Sequence, residues 1–166
     1  MSTFENDNYK WRETYFVLFN AAKRPSLEKM TEALQSLNRR FELSNTLADD
    51  DGGFESLTLR SPQDYSALDI SYVSGEEVQT QGVELAEEMR PNAADPDERA
   101  KLARLPKCDA RLDILHFEEI VGGGGSGGSE DEGEETLDPS TLLNVLDALV
   151  RMTGGVGVDP QSGSVM

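Results

Sequence analysis

The sequence contains a single cysteine, Cys108, and a single histidine, His116. One cysteine excludes an internal disulfide framework, and the two residues together are too few for a tetrahedral zinc site, which uses several such ligands. No run of about 18 apolar residues is present, so no transmembrane helix is predicted. The opening residues, MSTFENDNYKWRE, lack the basic-then-apolar pattern of a secretory signal. These absences lead us to expect a cytoplasmic protein.

Basic residues are also scarce, since Lys and Arg number 15 against 32 Asp and Glu, for a formal net charge of −17. Residues 42–89 carry 12 acidic side chains and one basic, and residues 112–166 carry 11 and one. Nucleic acids and anionic membranes bind positive surfaces, so neither is expected as a partner. A basic protein would be attracted, although solubility alone also accounts for such acidity.

The first half of the chain alternates between strand and helix patterns. Residues 11–19 predict a strand that is apolar on both faces near its end and therefore central in its sheet, with Trp11 on the face of Tyr15. A helix is predicted to open at Ser26, because apolar residues recur there at helical spacing. An Asp-Gly pair at 51–52 between two apolar runs predicts a hairpin, and a further strand follows it.

The second half continues with helices and one long strand. Ser74 and Glu77 match a capping box, and Asp95 precedes a proline at the first position of another helix. Residues 111–121 predict a strand. Residues 122–135, GGGGSGGSEDEGEE, contain no apolar side chain and predict a flexible loop. This stretch resembles an engineered linker, but no tag accompanies it, and we interpret it as a natural loop.

The predicted order is β-α-β-β-β-α-α-β-loop-α-β, which indicates an α+β protein with a mostly antiparallel sheet. It is compatible with a split βαβ, ferredoxin-like arrangement carrying additions. Residues 138–158, a leucine-rich helix and a short strand, are too few to fold alone, so we expect them to pack back on the sheet of a single domain, 1–166. The ending, TGGVGVDPQSGSV, is similar to the close of various small bacterial α+β proteins and implies no activity.

Two motifs resemble known ligand-binding patterns. One fails because of the residues that follow it, and the other fails because of its spacing. Gly122, Gly124 and Gly127 match G-x-G-x-x-G, but acidic residues follow where a helix N-terminus would meet a phosphate. The acidic turn that starts at Asp49 fails the EF-hand pattern, because its twelfth position is Arg60. We therefore predict no catalytic, metal or cofactor site from these motifs.

His116 is the only histidine of the sequence, and it is the candidate around which a polar pocket is considered. Glu118 lies two positions along the same predicted strand, so a histidine–carboxylate pair at His116 and Glu118 is conceivable. A core or rim histidine with a satisfied ring nitrogen is the simpler interpretation. Cys108 is interpreted as a small buried side chain, because an extended segment would hold it roughly 25 Å from His116.

The function expected from these observations is a non-enzymatic protein-interaction or regulatory module whose partner is a basic protein. Its candidate interaction residues are the acids of the hairpin turn and of the glycine-rich loop: Asp49, Asp50, Asp51, Glu130, Asp131 and Glu132. The alternative is a small-ligand-binding domain or an enzyme with a polar pocket built from distant residues. The sequence leaves the oligomeric state open.

Overall fold

The structure, a computed structural model, describes residues 9–62, 65–119 and 139–166. It contains one seven-stranded antiparallel sheet and four α-helices, so the predicted α+β class is confirmed. The predicted loop at 122–135, with Glu130, Asp131 and Glu132, lies outside the described residues. The strands are β1 (Tyr9–Phe19), β2 (Glu42–Ala48), β3 (Phe54–Ser61), β4 (Ser66–Ser74), β5 (Ala110–Glu119), β6 (Val156–Asp159) and β7 (Ser164–Val165).

Side chains cap two of the four described α-helices. The helices are α1 (Leu27–Leu37), α2 (Glu76–Met89), α3 (Pro96–Arg104) and α4 (Pro139–Thr153). Ser26 caps α1 and Asp95 caps α3, each accepting a bond from a first-turn backbone N–H. The capping box predicted at Ser74 is wrong: Gly75 is the N-cap of α2, at φ 127°, and no side chain caps that helix. None of the described helices is both long and apolar enough to cross a membrane.

Helices α1 and α4 cover one face of the sheet. Their apolar stripes, which include Leu34 on α1 and Leu146 on α4, join Val17, Ile70 and Ile114 from the strands in one buried cluster. The helix at 139–153 therefore packs directly on the sheet, and burial of its leucines is what holds it there.

Helices α2 and α3 cover part of the opposite face, over β1 and β6. Leu85 on α2 and Leu102 on α3 pack with Leu18 and Val156 in a second, smaller cluster. Arg104 at the end of α3 also donates to the carbonyl of Gly154, which lies just beyond α4. This contact ties the two helical layers together at one side of the sheet.

The strand order is β2-β3-β4-β5-β1-β6-β7. Strands β1 and β2, which α1 connects, run in the same direction with three strands between them, because every neighbouring pair is antiparallel. A ferredoxin-like split βαβ unit has one strand in that position. The split is wider here because β2, β3 and β4 form a meander, and β5 then inserts between β4 and β1.

The central position predicted for the first strand is confirmed, since β1 pairs with both β5 and β6. The face predicted for Trp11 is wrong. A register shift between Trp11 and Glu13 places Trp11 opposite Phe117, on the face of Leu18 rather than that of Tyr15. A bulge inserts one residue, and one residue is enough to move a side chain to the other face.

Candidate functional site

Part of the α2–α3 face of the sheet carries short polar side chains in two neighbouring rows across β2 to β5. The register pairs Thr58 with Asp69 in one row and Ser56 with Ser71 in the next. We call this region the open face; its polar residues are Ser44, Ser56, Thr58, Asp69, Ser71 and Asp113. Neither hydrophobic cluster includes them, and each is at least partly exposed.

A chain of hydrogen bonds orders the centre of the open face. The Thr58 hydroxyl donates to Asp69 Oδ1 at 2.8 Å, and the Asn45 amide nitrogen donates to the Thr58 hydroxyl oxygen at 3.5 Å. These bonds fix the orientation of both side chains and leave the Asn45 carbonyl oxygen able to accept. The network therefore presents acceptors and negative charge to whatever approaches the face.

An arginine closes the open face at one end. Arg60 on β3 lies between Glu42 on β2, at 3.0 Å, and Glu119 on β5, at 2.8 Å. The hydrogen bond to Glu119 is the main cause that raises the pKa of the Arg60 guanidinium above its ordinary value. Arg60 therefore has two carboxylate partners, and its single positive charge offsets only part of their negative charge.

A concavity of about 410 Å³ lies on the open face beside the sheet edge. It is lined chiefly by Asn45, Leu47, Ser56, Thr58, Asp69 and Ser71. Such a volume is within the range of roughly 300–1,000 Å³ found for small-molecule sites. One exposed apolar side chain, Leu47, stands beside hydroxyls, an amide and one carboxylate.

The edge strand β2 owes its shape to Asn45. The register between β2 and β3 shifts after Ser44, and Asn45 has a positive φ of 51°. Asparagine tolerates this left-handed conformation better than most residues. The irregularity interrupts the ladder along the sheet edge and brings the Asn45 amide over the floor of the concavity.

The three acids of the turn that was predicted as an interaction site have different environments. Asp49 accepts backbone bonds from Gly53 and Asp51 and pairs with Arg24 at 2.7 Å. The Gly53 bond is the main cause that lowers the pKa of the Asp49 carboxyl. Asp50 and Asp51 are exposed at the tip of the turn. Asp49 therefore holds the hairpin, and the two other acids face solvent beside β2.

His116 and Glu118, considered above as a pair, have different partners. His116 is nearly buried, and its Nδ1 lies 3.2 Å from Glu13 on the neighbouring strand β1. Glu118 lies 3.4 Å from Arg12. Tyr15 also hydrogen-bonds to Glu13, and burial is the main cause that raises the pKa of this phenol. The histidine–carboxylate pair thus forms across two strands, on the α1–α4 face, and not along one strand.

Cys108 is buried, as the sequence predicted. Its Sγ lies 3.4 Å from the carbonyl of Arg104, and burial raises the pKa of the thiol. It packs in the α2–α3 cluster, whereas His116 is on the opposite face of the sheet, so the two do not pair. In the described ranges no three Asp, Glu, His or Cys side chains are placed to hold a metal ion.

The residues of the concavity were not predicted from the sequence. A signal was present: along β3 and β4, Leu57, Leu59, Leu68 and Ile70 alternate with polar residues, which is typical of a sheet with one apolar and one polar face. The contribution of Asn45 was not readable, because it depends on an irregularity at one residue.

No protein-family model, curated protein or solved structure in three comparisons matches this chain. The open face, the concavity and the charge of the chain are the features that bear on its function.

Proposed function

We propose that this protein is a non-enzymatic interaction module that binds a basic segment of a partner protein on the open face. The observation that carries this proposal is the concavity beside β2, where Asp69 lies among hydroxyl and amide groups on a partly exposed sheet surface. Such a surface offers fixed acceptors to a cationic partner. The described residues that line the concavity include no histidine, cysteine or lysine, which favours binding over catalysis.

The charge around the open face supports a basic partner. Asp69 and Asp113 lie in adjacent rows of the face, and the exposed Asp50 and Asp51 follow β2 in the chain. Of the cations on this face, Arg60 pairs with Glu42 and Glu119, and Arg111 pairs with Asp113. The acids named here outnumber the two arginines, so we expect this surface to attract positive segments and repel acidic ones.

The direct test is an NMR titration of the isotope-labelled protein with a short lysine-rich peptide. A peptide of the same length in which glutamate replaces lysine is the control. The proposal expects amide shifts concentrated in β2, β3 and β4 with the basic peptide and none with the acidic one. It also expects the association rate to fall by about tenfold between low and physiological salt, because exposed charges are screened.

Shifts confined to α4 or α1 would overturn the proposal, since those helices cover the other face. Equal binding of the basic and acidic peptides would overturn it as well, because charge would then play no part. Binding that is independent of salt would show that the contact is apolar.

A small polar ligand is the second candidate occupant, favoured by the volume of about 410 Å³. The two candidates differ in the size of the surface they use. A small ligand would perturb only the residues that line the concavity, whereas a protein segment would also perturb Glu42, Asp113 and the turn at Asp50. A screen of soluble amines and sugars by the same NMR spectra separates them.

A further inference from the structure

We infer that the concavity is the anchor pocket for one lysine or arginine side chain of the partner. This inference rests on the proposed function and adds to it the residue type that the site selects. The occupant is a basic side chain on an extended protein segment that runs beside the sheet edge at β2.

The polar groups of the concavity match a cation better than an anion or a neutral group. Asp69 supplies a negative charge, and Ser56 and Ser71, which are paired in the next row, add two hydroxyl groups. The Asn45 carbonyl oxygen adds an acceptor at the edge. An ammonium group has three donors and no acceptor, and a guanidinium has five, so either can use several of these oxygens at once.

The apolar part of the pocket fits the hydrocarbon stem of such a side chain. Leu47 is 57% exposed although it is a large apolar residue, and it lines the same concavity. Lysine and arginine bury their methylene stems against apolar surface while the charged head finds polar partners. Leu47 and Asp69 line the same concavity, which therefore provides both an apolar surface for the stem and a carboxylate for the charged head.

The position of the pocket indicates an extended segment. Strand β2 is the last strand of the described sheet, and all but one of its residues are exposed. A segment that passes along this edge can add backbone contacts while alternate side chains point toward the open face. A second copy of this chain is disfavoured as the occupant, because two chains of net charge −17 repel each other.

The test compares two variants that remove one negative charge each. Asp69→Asn removes the carboxylate of the pocket, and Asp147→Asn removes an exposed carboxylate on α4, on the other side of the sheet. With the lysine-rich peptide as probe, Asp69→Asn should weaken binding by about tenfold, as for a lost hydrogen bond to a charged group. Asp147→Asn should change it by less than about twofold.

Two further comparisons test the apolar contact with the hydrocarbon stem of the basic side chain and the role of its positive charge. Leu47→Ala should weaken binding several-fold, whereas Leu143→Ala, which removes a similarly exposed leucine from α4, should leave it unchanged. A peptide with acetylated lysines should lose binding. In the unmodified protein, the amide signals of Asn45, Thr58 and Ser71 should show the largest chemical-shift changes in the titration. This readout does not depend on the folding of any variant.

The outcomes separate the inference from the proposed function. If the basic peptide perturbs β2 to β4 but Asp69→Asn and Asp147→Asn weaken it equally, the anchor pocket is wrong and the interaction module stands. If the peptide perturbs no residue of the open face, both are wrong. Self-association through β2, measured by sedimentation, would replace the basic segment with a second copy and would also overturn the inference.

Discussion

The guanidinium of Arg24 lies 2.7 Å from the carboxylate of Asp49, and its other nitrogens donate to the carbonyl of Phe54 at 2.8 and 3.0 Å. The same group is stacked 4.1 Å from the centre of the Tyr72 ring. One side chain from the connection between β1 and α1 therefore binds the β2–β3 turn and contacts β4. It fixes the turn that leads into the strands of the open face.

Arg24→Lys should destabilise the protein by about 1–3 kcal/mol, although it keeps the charge. A lysine cannot donate to Asp49 and Phe54 simultaneously with the planar geometry of arginine, so at least one charged hydrogen bond is lost. The measurement is the free energy of unfolding in urea. Arg99→Lys on the exposed surface of α3 is the control and should change this value by less than about 0.5 kcal/mol. Equal effects of the two changes would contradict the role given to Arg24.

The Asp49 carboxyl should make stability depend on pH. Its pKa is lower in the folded protein than in the unfolded chain, so its charged form favours folding above the unfolded value of about 3.9. That contribution is lost as the pH falls through the lower folded value. The difference in urea midpoint between the unmodified protein and Asp49→Asn should therefore be largest near neutral pH and shrink in strong acid. Asp50→Asn, which removes a charge from an exposed position of the same turn, is the control and should change the urea midpoint little.

Gly82→Ala should destabilise the protein although alanine favours helix. A Cβ at this position of α2 would lie 2.4 Å from the carbonyl oxygen of Leu105, so the helix must move away from the turn at Leu105–Lys107. We expect a cost of about 1–3 kcal/mol, as for overpacking of a core. The control is Thr80→Ala on an exposed position of the same helix, which should be neutral or slightly stabilising. Thermal unfolding of both variants gives the comparison, and a stabilised Gly82→Ala would contradict the packing.

Leu146→Ala should cost about 2–5 kcal/mol, because Leu146 is 2% exposed in the α1–α4 core. Leu143 lies one turn earlier on α4 and is 52% exposed, so Leu143→Ala should cost less than about 1 kcal/mol. The two changes remove the same atoms from the same helix. Urea unfolding that shows similar losses for both would mean that α4 does not present Leu146 to the sheet.

Most elements of the fold were predictable because they have a local signal, but the two-residue strand β7 was not predicted. Alternation identified the strands, and Ser26 and Asp95 marked helix starts that the structure confirms. The order of the strands was not predictable in detail, because pairing between β5 and β1 joins segments about one hundred residues apart. The face of Trp11 was missed for a similar reason, since a bulge has no reliable signature in one sequence.

The candidate site was less accessible to prediction than the fold. The acids at Asp50 and Asp51 were visible as a charged turn, but the participation of Asp49 in a structural ion pair requires Arg24, which is distant in the sequence. In the sequence, Asp69 and Thr58 are polar residues of two predicted strands. Only the strand register shows that they lie side by side. A site built from several strands depends on which strands pair and in which register, and the local sequence pattern does not show this.

The place of β1 in the middle of the sheet has a consequence for synthesis. Both of its pairing partners, β5 and β6, come from the second half of the chain, so an emerging β1 must leave the ribosome with two unsatisfied edges. The meander of β2, β3 and β4 can form early, because its turns are short. Until β5 is synthesised, the aromatic residues and both edges of β1 are unpaired, so we expect this strand to be prone to aggregation during translation.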